Sequence, residues 1–156
     1  MPHFFQAIAS DTLNALRAGG PDAYGSPAER AKSDGGGNPC RHCLRDIQAS
    51  RPMLILSYMP FSRREPYAET GPIFLCAEEC QRYPRTDIVP PVITSRPSFL
   101  VKGYDGDERI AYGTGAIVES VRIGAYLDGL FATAGCAFAD IRSAVNNCYF
   151  CRAWPG

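Results

Sequence analysis

Two Cys-X-X-Cys pairs stand near opposite ends of the chain, Cys40-Arg41-His42-Cys43 after a glycine run and Cys148-Tyr149-Phe150-Cys151 just before the C-terminus. A two-residue spacer lets two thiolates from one short turn reach the same ion, and a tetrahedral dication needs several such soft ligands at one point. A fold that used both pairs would have to bring its two ends together. More than a hundred residues separate the pairs, whereas a compact zinc finger spaces its ligand pairs by roughly a dozen to twenty. The pattern therefore describes two distant segments clipped together, the ion tying a long N-terminal loop to the last strand. Closing so long a loop has an entropic cost that grows only logarithmically with length, and metal binding worth about 10 kcal/mol or more can offset it.

Two further thiols widen the choice of ligands. Cys76 and Cys80 in Cys76-Ala77-Glu78-Glu79-Cys80 also have a spacer that suits a ligand pair. If Cys148 to Cys151 is a regular strand, residues three apart point to opposite faces and only one can reach the site. Cys43, Cys76, Cys80 and Cys151 thus stand as an alternative to Cys40, Cys43, Cys148 and Cys151. Neither pair is followed by the glycine that many zinc knuckles use; Leu44 and Arg152 occupy those positions. Zinc held by four of the six cysteines is the favoured reading, on thiolate softness and number. Against it stand free, largely buried thiols and redox chemistry, in which a protonated His42 would lower the pKa of Cys40 or Cys43. The seventh cysteine, Cys136, lies in an apolar stretch and reads as a small core residue.

The rest of the composition excludes more than it assigns. The 156 residues suit one domain spanning 1–156, and the net charge is zero at neutral pH. Basic residues are almost all arginine and scattered, so there is no electrostatic footprint for nucleic acid. No apolar run approaches the roughly 20 residues that cross a bilayer, and the N-terminus lacks a secretory pattern. The expectation is a cytoplasmic protein with no membrane partner, in a compartment that keeps thiols reduced.

Local patterns predict an α+β domain with a mainly antiparallel sheet, two main helices and a long glycine-rich loop. Strands are expected at Phe4 to Ala9, Pro52 to Tyr58, Gly71 to Cys76, Cys136 to Ser143 and Cys148 to Trp154, the last two joined by a turn at Asn146-Asn147. Phe99 to Tyr104 and Ile110 to Val118 should form a hairpin around Asp105-Gly106-Asp107. One helix should start at a Ser10-Asp11 cap, carry Leu13 and Leu16 on one face and stop at Gly19-Gly20. A second should run from Ser120 to Gly135 with Ile123, Leu127, Leu130, Phe131 and Ala134 aligned. Residues Gly19 to Pro39 should be loop, and the prolines between Pro84 and Pro97 forbid a helix there. Gly35-Gly36-Gly37 has no phosphate-loop continuation, and its expected role is to let backbone approach the cysteine site.

A polar group flanks the two cysteine pairs: Asp34, Asn38, Arg41, His42, Arg142, Asn146 and Asn147. Arginine with asparagine can hold a carboxylate or phosphate through charge-assisted hydrogen bonds. The plainer reading makes them supports for turns and sulfur atoms.

Three runs carry a family resemblance: Asp34-Gly-Gly-Gly-Asn-Pro-Cys-Arg-His-Cys-Leu-Arg45, Pro66-Tyr-Ala-Glu-Thr-Gly-Pro-Ile-Phe74 and Arg142-Ser-Ala-Val-Asn-Asn-Cys-Tyr149. Together they resemble a bacterial family known as domain-of-unknown-function family 1203. The resemblance implies a small stand-alone protein and brings no activity, substrate or catalytic residue with it. In the family pattern histidine, another zinc ligand, often stands at the position of Cys76. Some members lack thiols at the positions of Cys43, Cys80 and Cys151, which implies a fold that does not depend on metal throughout the family. The expected function is a binding or interaction module with a structural zinc site. The alternative is an enzyme, a hydrolase or thiol-redox protein, using an open zinc site or a reactive cysteine thiolate near His42.

Overall fold

Apolar runs and β-branched or aromatic residues build two antiparallel sheets in the computed structural model, which describes residues 2–156. The strands are β1 (His3–Gln6), β2 (Glu29–Lys32), β3 (Pro52–Tyr58), β4 (Gly71–Cys76), β5 (Ser98–Tyr104), β6 (Ala116–Glu119), β7 (Phe138–Ser143) and β8 (Tyr149–Pro155). The larger sheet has the order β1-β8-β7-β5-β6 and the smaller one β2-β3-β4. The helices are α1 (Ser10–Arg17), a single turn α2 (Pro91–Thr94) and α3 (Ile123–Thr133). The expected α+β class with mainly antiparallel sheets and two main helices is what the chain adopts.

Each main helix covers one sheet. Phe5, Ala153, Ala139, Ile141, Val101, Phe99 and Val118 share a buried cluster with Ile123, Leu127 and Leu130 of α3. Leu13 and Leu16 of α1 pack with Leu54, Leu56, Ile73 and Leu75 of the smaller sheet. Burying each such side chain contributes about 1.5–3 kcal/mol, so each helix is held by its apolar stripe.

The other face of the larger sheet is polar and aromatic. Register places Arg152 opposite Asp140, and Asp140 opposite Lys102. Asp140 is fully buried and pairs with Arg152 through two contacts, at 2.6 and 3.1 Å. Burial pushes the Asp140 carboxyl up, against the pull of Arg152. The Arg152 guanidinium lies 3.8 Å from the Phe138 ring centroid and also donates to the Pro60 carbonyl.

Several local expectations are corrected. Gly19 to Pro39 is not all loop: Glu29–Lys32 pairs with β3 as a charged edge strand, a composition that discourages further pairing. The proline-rich segment does hold one helical turn, because Pro91 sits at its first position, where the missing N–H leaves no bond unmade. Ser10 is not a cap but the first residue of α1, its hydroxyl turned to His42. The hairpin is regular only between β5 and β6, with a single bridge from Tyr104 to Ile110 near the turn. Ser120 opens a short 3₁₀ turn before α3 and donates to the Arg96 carbonyl. Cys136 is buried as expected, against Gly103, where an added Cβ would lie 2.5 Å from its sulfur.

Candidate metal centre

The first cysteine pair sits in a tight turn docked on the edge of β4. The Cys40 N–H donates to the Arg45 carbonyl and the Leu44 N–H to the Cys40 carbonyl, both at 3.0 Å. Cys40 bridges in parallel to Phe74, with the Arg41 N–H donating to the Phe74 carbonyl at 3.2 Å. Because Phe74 is two residues before the end of β4, this docking brings Cys40 and Cys43 to Cys76. The chain leaving the strand then returns Cys80.

The sulfurs of Cys40, Cys43, Cys76 and Cys80 all lie within 4.8 Å of one another. Cys43 and Cys76 are 4.0 Å apart, and a tetrahedral site with bonds of about 2.3 Å needs sulfurs about 3.8 Å apart. Both the number and the spacing fit a four-coordinate thiophilic ion.

This grouping differs from both ligand sets expected from the sequence. Cys148 lies in the turn before β8, its thiol facing the Asn146 carbonyl at 3.7 Å. Cys151 is fully buried in the core beneath α3. Neither joins the cluster among the described residues, whereas Cys76 and Cys80, ranked second on spacing, both do. The two pairs nevertheless come close, through Arg41. Its Nε donates to the Tyr149 carbonyl at 2.7 Å and its Nη1 to the Pro39 carbonyl at 2.7 Å.

The surroundings favour negative sulfur. Backbone N–H groups of His42 and Cys76 point at the Cys40 sulfur, at 3.4 and 3.3 Å. Hydrogen bonding from the thiols of Cys43, then Cys76 and Cys80, holds the Cys40 thiol well below its ordinary value. The same sharing with the Cys40 sulfur pushes the thiols of Cys76 and Cys80 up. Cys43 is lowered as well, against Cys40, by sharing with Cys76 and Cys80, so the cluster divides into two readily ionised thiols and two reluctant ones. A dication held by the four sulfurs would stabilise all of them as thiolates.

Two side chains brace the cluster from outside. His42 Nδ1 is 3.1 Å from the Cys80 sulfur, and its Nε2 is 2.8 Å from the Ser10 hydroxyl. Burial holds the imidazole below its ordinary pKa, favouring the neutral ring. A single proton on Nδ1 satisfies both contacts: the ring donates to sulfur and accepts from Ser10. Arg17 reaches the Cys80 sulfur at 3.8 Å while donating to the Cys76 and Glu78 carbonyls.

A family model described as a protein of unknown function (DUF1203) matches residues 37–153. The chain belongs to that family. No curated protein and no solved structure matches it. Within this DUF1203 chain the remaining expected polar residues divide. Asp34 accepts from the Gly36 N–H and the Asn38 amide, at 2.8 and 2.7 Å, closing the glycine turn on itself. A Cβ on Gly35 would meet Ala49 at 2.9 Å, and one on Gly37 would meet Arg96. The glycines therefore serve the turn and these neighbours, rather than an approach to sulfur.

Arg142, Asn146 and Asn147 instead line a separate cavity with Glu69. His3 is a buried member of β1 paired with Asp128 at 2.6 Å. The signal that ranks Cys76 and Cys80 above the other candidates is their position at the exit of a strand, beside the turn that receives the first pair. No helix among the described residues is long and apolar enough to cross a membrane.

Proposed function

We propose that this protein is a binding or interaction module whose fold is braced by a structural zinc ion held by Cys40, Cys43, Cys76 and Cys80. The observation that carries the reading is the convergence of four sulfurs within 4.8 Å of one another. Tetrahedral sulfur coordination selects zinc or iron among the common metals, and zinc is the assignment made here. Four protein ligands leave no open position for substrate or activated water, which argues against the metal-hydrolase alternative. The ion would clamp the 39–46 turn to the end of β4 and fix the outward face of that turn for recognition. A cytoplasmic location accords with this reading, because a reducing poise keeps the thiols available to metal.

Elemental analysis of purified protein, with thermal unfolding in the presence and absence of a strong chelator, tests the proposal. About one zinc per chain and a lowered unfolding temperature on chelation are expected. Metal-free protein of unchanged stability would overturn it, and stoichiometric iron would overturn the choice of metal.

A further inference from the structure

The three sequence runs that carry the family resemblance meet at one place that the metal cluster does not occupy. A cavity of about 350 Å³ is lined by Pro39 and Arg41 from the first run, Pro72 and Phe74 from the second, and Asn146 and Cys148 from the third. A neighbouring cavity of about 320 Å³ shares Pro72, Asn146 and Cys148 with it. The two form one groove on either side of Cys148.

Positive charge in this groove exceeds what the protein neutralises. Arg41 is only 3% exposed, yet its guanidinium has only carbonyl partners, those of Tyr149 and Pro39, and no carboxylate among the described residues. It lies against the Phe150 ring at 4.6 Å. A metal-bound tetrathiolate next to Arg41 carries two net negative charges, but Arg17 at 3.8 Å from Cys80 stands on that side already. Arg82 adds its charge from the His42 side, its own hydrogen bonds going to the Ala7 and Ile8 carbonyls. Arg96, also lining the cavity, is matched by Asp46 at 2.8 Å. Arg142 and Glu69 line the adjoining cavity, and Arg142 shares that one carboxylate, at 3.1 Å, with Lys102 behind it, at 2.8 Å. The Nε and Nη2 atoms of Arg142 have no hydrogen-bond partner among the described residues. Buried charge without a partner is costly, and a bound anion removes that cost.

We propose that this groove binds a small organic carboxylate, its head taken by Arg41 beside Asn146 and Cys148, and its apolar body lying against Phe74 and Phe150. One buried guanidinium with mostly apolar walls suits a monoanion with a hydrophobic body better than a fully hydrated phosphate. The inference deepens the binding-module reading and rests on it, giving that module a ligand class.

The test uses the wild-type protein and the partly exposed Cys148 as reporter. The rate of its alkylation by iodoacetamide, mapped by mass spectrometry, is measured against increasing benzoate, benzamide and inorganic phosphate. Saturable slowing by benzoate, with little effect of benzamide or phosphate, is expected. No protection by benzoate, equal protection by benzamide, or equal protection by phosphate would each overturn the proposal. Arg41→Met should abolish protection, but it also removes two backbone hydrogen bonds. Asn146→Asp, in an exposed turn, adds negative charge without touching them and should weaken benzoate by about fivefold, the equivalent of ~1 kcal/mol. Unchanged benzoate affinity in that variant would count against the site. Zinc measured on the same sample separates the readings: metal without protection sinks the groove alone, and protection without metal sinks the zinc assignment alone.

Discussion

The Leu44 amide donates to the Cys40 carbonyl at 3.0 Å with Leu44 in the left-handed region, at φ 53°. This is the conformation that a knuckle glycine supplies, adopted here by a leucine that is 1% exposed. The left-handed backbone costs a non-glycine residue roughly 1–2 kcal/mol, and burial of the side chain more than offsets it. The usual ranking of substitutions should therefore invert. Leu44→Ala loses the side chain and keeps the strain, at a cost of about 2–5 kcal/mol, whereas Leu44→Gly loses the side chain and relieves the strain. Urea unfolding should find the glycine variant the more stable of the two, with its metal content retained; the opposite order would refute the strain account.

Ligand identity separates the cluster from the thiols that only resemble it in sequence. Cys76→Ser and Cys80→Ser should each lower bound metal sharply and lower the unfolding temperature. Cys148→Ser should leave metal content unchanged, because that sulfur faces a carbonyl in the turn before β8. Metal analysis of the three purified variants checks this, and loss of metal in the Cys148 variant would reassign the site.

The Asp140–Arg152 pair should behave as a buried unit. Asp140→Asn leaves a guanidinium that is 8% exposed with only the Pro60 carbonyl and aromatic rings, and removing one partner of such a pair costs about 3–5 kcal/mol. The double variant Asp140→Asn with Arg152→Met should recover part of that loss. A double-mutant cycle by chemical denaturation measures the coupling, and simple additivity would contradict it.

Asp22 gives the fold an acid-sensitive joint. Its carboxylate accepts from the backbone N–H groups of Ser57, Ser26 and Tyr24 at 3.0, 3.1 and 2.9 Å. The Ser57 bond foremost lowers its pKa, burial opposes it, and the Ser26 and Tyr24 bonds add to the lowering. A carboxyl whose folded value lies below its unfolded value of about 4 stabilises the protein above that pH, and the contribution is lost as pH falls through the folded value. Asp22→Asn should therefore lose stability near neutral pH and show a shallower fall below about pH 4 than wild type. Parallel acid-unfolding curves for the two proteins would contradict the assignment.

Much of this architecture could be read from local pattern. Strands β3 and β4 announced themselves because Met53, Leu54, Leu56, Ile73 and Leu75 make dense apolar runs, and α3 because Ile123, Leu127 and Leu130 recur at helical spacing. Strand β2 was hidden, since Glu29-Arg-Ala-Lys has the composition of a loop and becomes a strand only through the edge that β3 offers it. Pro91 misled for a related reason: a proline that forbids the interior of a helix is favourable at its first position.

The cysteines divide in the same way. Spacing along the chain marked Cys40 and Cys43 as able to share a site, and marked Cys148 and Cys151 equally; only the first pair sits in a turn that brings both sulfurs together. Which sulfurs complete the set was decided by tertiary structure alone, through the pairing of β3 with β4 and the bridge from Cys40 to Phe74. The two Cys-X-X-Cys segments do approach each other, as their positions suggested, but the bond between them runs from the Arg41 side chain to the Tyr149 carbonyl. Sequence spacing reports only what a few residues can do locally. The meeting of residues a hundred positions apart depends on which apolar faces the strands bury, and that is settled by the packing of the whole chain.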